Sequence, residues 1–200
     1  MMVYNMRWIF SLFLALVLST SAFSQTTARI HTSAFESLIK GSKTLFGWFS
    51  TMLTSVSPIT SSVKKARLAR SLTQFHKDLF DLESNTSYLI EALSRKNLNN
   101  QEINSAMKAV RSSLDTCKTR LNIIGPDLSS QLKAGGNEAS TQLGNVFGAR
   151  GIWVGDLMRD DYKSIDPVGL RKFIEDGEKV KRSLNSARVE LIKVIDKVKQ

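Results

Sequence analysis

One cysteine, two histidines and three prolines in 200 residues leave the chain poor in the side chains from which fixed chemistry is built. A single thiol, Cys117, excludes an internal disulfide framework, so stability has to come from packing. With no second cysteine there is no zinc knuckle and no haem-attachment motif. Neither His31 nor His76 stands in a Glu-x-x-His pair, which removes the basis for a di-iron site in a helical bundle. The Gly-x-Ser-x-Gly elbow of hydrolases and the glycine-lysine loop that cradles phosphate are both missing. Asp156, Asp160 and Asp161 cluster, yet they lack the regular ligand ladder of a calcium loop. Helix capping, or pairing with Arg150 and Arg159, is their simpler use. The expectation is a protein that is not an enzyme and holds no metal and no cofactor.

Strand patterning is lacking too: no segment alternates apolar and polar residues in the manner of a half-buried strand. With Pro58, Pro126 and Pro167 as the whole proline complement, long helices run uninterrupted.

What is present is a spacing. Apolar residues recur at alternating steps of four and three in four stretches. The clearest is Leu68, Leu72, Phe75, Leu79, Leu82, Thr86, Leu89, Leu93. A second runs Ile103, Met107, Val110, Leu114, Cys117, Leu121, Ile124. A third runs from Leu170 and Phe173 through Gly177, Val180 and Leu184 to Val198. A looser fourth, Phe35, Leu38, Ser42, Leu45, Phe49, Met52, Val56, comes first in the chain. A repeat near 3.5 lines up one side of an α-helix as a seam that must be buried against other helices. Cys117 sits on such a seam, where a thiol serves as a small hydrophobe.

The ends of these helices are marked. Ser57-Pro58 separates the first from the second, since proline disfavours helical geometry in the residue before it, and Ser61 or Ser62 caps the second. Asn99 as N-cap places Glu102 at N3, the layout of a capping box, with Leu98 and Ile103 as a hydrophobic staple. Gly125-Pro126 closes the third helix. Asp166 caps the last, with Pro167 at N1 and Ile165 stapled to Leu170. The spacing predicts helices over 33–56, 61–95, 100–124 and 167–198. The fold class expected is all-α: an elongated up-and-down, antiparallel bundle of about four long helices. A glycine-rich, partly helical excursion separates the third helix from the fourth. It holds Gly135, Gly136, Gly144, Gly148, Gly151 and Gly155, with Gly135-Gly136 as a hinge between two short helices. Seams this long close within one chain or between two copies, so a homo-oligomer is compatible with the pattern.

The first 24 residues stand apart. Arg7 precedes an apolar run, Trp8 to Leu18, and small residues Ala22 and Ser24 sit where a signal peptidase would cut. The run is about eleven residues, well short of the roughly 20 that span a bilayer. The expected organisation is a signal peptide over 1–24 and a single all-helical domain over 25–200, with 125–165 an irregular insertion. The protein is thus expected to be exported, to the periplasm or the medium.

Three features are candidates for binding. The formal charge of +10 suits anionic partners. Lys64, Lys65, Arg67 and Arg70 form a run without an intervening acid at a helix start, where cations oppose the helix dipole. The first helix carries Ile39, Phe46, Trp48 and Leu53 beyond its seam. That surplus suits a central bundle helix, or one lying in a membrane interface. The excursion offers Arg150, Trp153, Arg159 and Tyr162 for contact with a protein partner. Asn85-Thr86-Ser87 matches a glycosylation sequon but places Thr86 on a seam, so it is discounted. The leading expectation is a non-catalytic structural or protein-interaction component of the cell envelope or extracellular space. The alternative is attachment to an anionic membrane surface through helix 34–56 and the 64–70 run. Export, and the lack of base-stacking aromatics beside the basic run, disfavour nucleic acid.

Overall fold

A computed structural model of the chain describes residues 35–55, 62–97, 99–144 and 167–200. These form five α-helices: α1 (35–55), α2 (Ser62–Ser94), α3 (Asn100–Ile124), α4 (Ser130–Gly144) and α5 (Pro167–Lys199), with a 3-10 turn at Gly125–Asp127. No strand occurs among the described residues. The fold is an all-α bundle, and the four long helices lie where the apolar spacing predicts them.

Local chemistry accounts for the boundaries. The Asn99 side chain accepts hydrogen bonds from the backbone N–H groups of Gln101 and Glu102, at 3.0 and 3.2 Å, and so caps α3. Glu102, expected to complete a capping box, turns its carboxylate to Arg95 and Tyr88 at the end of α2 instead. The capping residue thereby becomes a clamp between two helices. Leu98, Ile165 and Asp166, the outer halves of the predicted staples and caps, lie outside the described residues. Gly125 keeps right-handed helical angles (φ −49°, ψ −45°) and carries the chain into the 3-10 turn. The turn ends at Leu128, whose backbone is extended.

The seams meet in one core. Leu38, Leu45, Phe49 and Met52 from α1 pack with Leu68, Leu72, Phe75 and Leu82 from α2. Leu114, Cys117 and Leu121 from α3 and Leu184, Leu191 and Val194 from α5 complete it. Phe49 meets Phe75 edge-on at 6.0 Å between ring centres, and Phe35 meets Phe173 at 4.2 Å. Apolar burial, at about 1.5–3 kcal/mol for each large side chain, is the main stabilising term.

The excursion departs from expectation. The irregular insertion predicted over 125–165 is regular as far as Gly144, and Gly135-Gly136 is no hinge but the middle of one continuous helix. Packing decides this. Trp48 of α1 is buried and donates its indole N–H to the Leu132 carbonyl at 2.7 Å. Its ring lies on the two glycines: a Cβ on Gly135 would come within 2.7 Å of Trp48 Cδ1, and one on Gly136 within 3.0 Å of Cζ2. Gly41 of α1 faces Leu143 in the same way, at 2.9 Å. Two glycines cost a helix about 2 kcal/mol relative to alanine. Burying a tryptophan of 150–250 Å² offsets that with about 4–6 kcal/mol at most.

Because α4 is an additional pass of the chain, α5 is reversed relative to a four-helix arrangement. α1 through α4 run up, down, up and down. α2 pairs antiparallel with α3 (Asn85 to Ser113, 2.7 Å; Asp78 to Arg120, 2.8 Å). α4 returns antiparallel to α1, with Leu143 beside Gly41 and Leu132 beside Trp48. α5 then lies between α1 and α2. It is parallel to α1, as Phe35–Phe173, Ser42–Ser183 (2.7 Å), Ser50–Glu190 (3.2 Å) and Leu53–Lys197 succeed one another along the pair. It is antiparallel to α2, with Ile90 against Gly177 and Glu83 ion-paired to Arg188.

Gly177 marks the closest α2–α5 approach: a Cβ there would stand 2.7 Å from Ile90 Cγ1. Gly177→Leu is expected to cost about 1–3 kcal/mol through overpacking, roughly 3–10 °C in Tm for a chain of this size. Adding Ile90→Ala should recover part of the loss, because the two changes share one space. A Gly177→Leu protein that melts with the parent, monitored by circular dichroism, would place this position outside the core.

Candidate functional site

The four partner-contact candidates of the excursion, Arg150, Trp153, Arg159 and Tyr162, lie outside the described residues, as do Asp156, Asp160, Asp161 and His31. The basic run is described, on the first three turns of α2. Lys64, Arg67 and Arg70 are exposed and Lys65 is half-buried. Arg67 has a structural partner: its Nε donates to Asp127 Oδ2 at 2.9 Å and its Nη2 to the other oxygen of the same carboxylate. This fork ties the start of α2 to the turn after α3.

The topology adds to the run. Lys133 opens α4 beside the same turn, its Cγ 3.8 Å from where a Gly125 Cβ would stand. Lys197 and Lys199 close α5, and Lys197 reaches the Leu53 carbonyl at the end of α1. One end of the bundle therefore gathers seven cations from three helices: Lys64, Lys65, Arg67 and Arg70 on α2, Lys133 on α4, Lys197 and Lys199 on α5. Two carboxylates stand among them, Asp127 and Asp196, and Asp127 is taken by Arg67. Val63 (76% exposed) and Ile123 (51%) are apolar side chains at the same end. The opposite end is nearly balanced: Lys40, Arg95, Lys96, Lys108, Arg171, Lys172 and Lys179 share it with Glu36, Glu91, Glu102, Glu175, Asp176 and Glu178. Several of these are paired with one another, Arg95 with Glu91 and Glu102, and Lys179 with Asp176.

The remaining candidates are absorbed by packing. The surplus apolar face of α1 is spent inside: Trp48 is buried under α4 and Ile39 and Leu53 pack against the core, while Phe46 stays 42% exposed. Cys117 is buried, and that burial pushes its thiol well above the usual range, so it is held as an inert SH group. Asn85 donates to Ser113 across the α2–α3 contact, and Thr86 is buried on the seam. A polar cavity of about 280 Å³ opens beside them, lined by Asp78, Asp81, Ser84, Asn85 and Thr116. Its deepest groups satisfy one another, with Asp78 held by Arg120 and Gln74. Among the described residues no group of three or more His, Cys, Asp or Glu side chains is placed to hold a metal ion. Nor is any described helix long and apolar enough to cross a membrane.

Sequence reasoning missed Lys133, Lys197 and Lys199 as members of the basic end. Lys197 and Lys199 carried one signal, the preference of any helix for cations in its last turn, and Lys133 carried none.

Two titratable groups, the half-buried His76 and the buried Glu190, set an acid limit. His76 Nε2 is buried without a hydrogen-bond partner, and burial, then the nearby Arg188 guanidinium, holds the imidazole below its ordinary pKa. Lys193 on Glu190 Oε2 (2.8 Å), with help from Ser50, holds that carboxyl below the usual range against the opposing effect of burial. In both cases the unfolded chain binds protons more readily, so stability falls on acidification. The His76 share is lost as pH drops below about 6.5 towards its lower folded value, and the Glu190 share below about 4.3. Tm is expected to decline from pH 7 in two stages, and His76→Leu should flatten the first while leaving the second. An equal slope near pH 6 in parent and variant would refute the assignment. Comparison with protein-family models, with curated proteins and with solved structures finds no match to this chain.

Proposed function

We propose that the protein is a non-catalytic helical scaffold of the cell envelope or extracellular space that works by binding through its surface. One observation carries the reading. Among the described residues, the basic end concentrates seven cations from three helices, and it is a surface and not a cleft. The N-terminal run of Arg7 and Trp8–Leu18, ending in Ala22 and Ser24, supports export. Arg150, Trp153, Arg159 and Tyr162 belong to the same reading as contacts for a protein partner. They fall in sequence between the end of α4 and the start of α5 and lie outside the described residues.

Cell fractionation, with mass spectrometry of the recovered chain, tests the export half. The expected result is periplasmic or extracellular protein beginning at Gln25, and cytosolic protein with an intact N-terminus would overturn the reading. Affinity capture from the native envelope tests the binding half. Alanine at Trp153 and Tyr162 should remove captured proteins without changing the circular dichroism spectrum. Residues 130–144 must stay untouched in such a test, because α4 is part of the bundle.

A further inference from the structure

The geometry points to an end-on mode of attachment: the basic end of the bundle docks on an anionic lipid bilayer, with the helices standing away from the surface. This names the partner of the surface proposed above and rests on that reading. Four features support it. Seven cations are presented at one end by α2, α4 and α5 among two carboxylates, while at the other end seven cations share the surface with six carboxylates. Five of the seven are lysines, hydrated point charges suited to a diffuse layer of headgroups; a single phosphate or carboxylate is more often recognised by arginine forks. The arginine fork that does exist, Arg67, is already closed on Asp127. Lastly, Val63 stands 76% exposed immediately before Lys64 and Lys65, and Ile123 51% exposed on α3, so apolar side chains accompany the charges. An apolar residue beside lysines gains by entering the headgroup boundary while its neighbours stay with the phosphates.

The choice of a bilayer over other polyanions rests on the same features. A single-stranded nucleic acid needs stacking platforms, and no exposed aromatic side chain stands among the described residues of this end. An acidic protein partner would call for a fixed counter-pattern, whereas these cations are spread over the ends of three separate helices. Side-on attachment through α1 has lost its apolar face to α4.

Vesicle flotation of the exported chain, as the cell processes it, decides the matter. Vesicles of phosphatidylcholine alone run beside vesicles containing a third of phosphatidylglycerol, so that attachment through the apolar 8–18 run registers separately. The expected result is binding that requires phosphatidylglycerol and is lost on raising salt from about 0.05 to about 0.5 M. Each juxtamembrane cation contributes roughly fivefold to partitioning. Lys64→Gln/Lys65→Gln, and Lys133→Gln/Lys199→Gln on other helices, should therefore each weaken it by roughly 25-fold. Arg171→Gln/Lys172→Gln at the opposite end should leave it unchanged. Five of the six side chains are exposed and Lys65 is half-buried, and a circular dichroism melt confirms that each variant is folded. Equal loss from both ends would show attraction by net charge alone and would overturn the proposal. So would absence of binding to anionic vesicles, or tighter binding to a single-stranded oligonucleotide at the same ionic strength. Failure here leaves export and protein capture, tested separately, intact.

Discussion

The contact of Trp48 with Gly135 and Gly136 is the constraint on which the arrangement of this molecule turns. It admits α4 to the bundle as a full pass of the chain, where local propensity would have left a loop. Each added pass reverses the direction of the next helix. Were the chain to go straight from α3 into its last helix, that helix would run antiparallel to α1 and finish at the nearly balanced end. With α4 in place it runs parallel to α1, and Lys197 and Lys199 finish beside the start of α2. A packing event in the core thus sets the charge distribution at the surface.

The same event explains what could be read in the sequence and what could not. Helix boundaries were legible because caps and proline act over three or four residues: Asn99 caps α3 through its own side chain, and Pro167 opens α5. The seams were legible because a repeat near 3.5 has few other uses, and Thr86, Cys117 and Gly177 all lie buried where that repeat places them. α4 was not legible as a bundle helix. Gly-Gly reads as a hinge from propensity alone, and the partner that makes it helical lies 84 residues away in sequence, across the Trp48–Leu132 bond. Of the basic end, the contiguous run Lys64 to Arg70 was legible and the rest was not, since Lys133 and Lys199 join it only through topology. Nor could the run itself show that Arg67 is held by Asp127.

Elsewhere the polar groups are used to hold helices in register. Asp78–Arg120 and Asn85–Ser113 stitch α2 to α3, Glu83–Arg188 joins α2 to α5 with Arg188 lying 4.7 Å over Phe80, and Ser42–Ser183 joins α1 to α5. Such pairs add little net stability individually, yet removing one partner of a buried pair is costly, so they select one alignment over its neighbours. Of the fourteen carboxylates among the described residues, eight stand in ion pairs, and four of those pairs link separate elements. With its surplus of cations, the chain shows its excess charge where few carboxylates stand, at the basic end.

That place is one where helix electrostatics are disobeyed. α3 begins with Glu102 in its first turn and α5 ends with Lys197 and Lys199 in its last, both as the dipole favours. α2 begins with Lys64 and Lys65 and without an acid, and α4 carries Lys133 in its first turn, both against it. Each adverse cation costs about 0.3–1 kcal/mol. The repulsion among them is added, because neighbouring helices stand about 8–10 Å apart, comparable to the Debye length of about 8 Å at physiological salt. The closed core beneath, with Met52, Leu68, Leu72 and Val198 buried, tolerates that cost. Stability alone would have placed acids at the start of α2 and α4, as it did at the start of α3. The two departures occur at the same end of the molecule, and the reversal of α5 adds two more cations to it. Cations in the first turn of two helices at one end are the local departures on which the proposed binding surface rests.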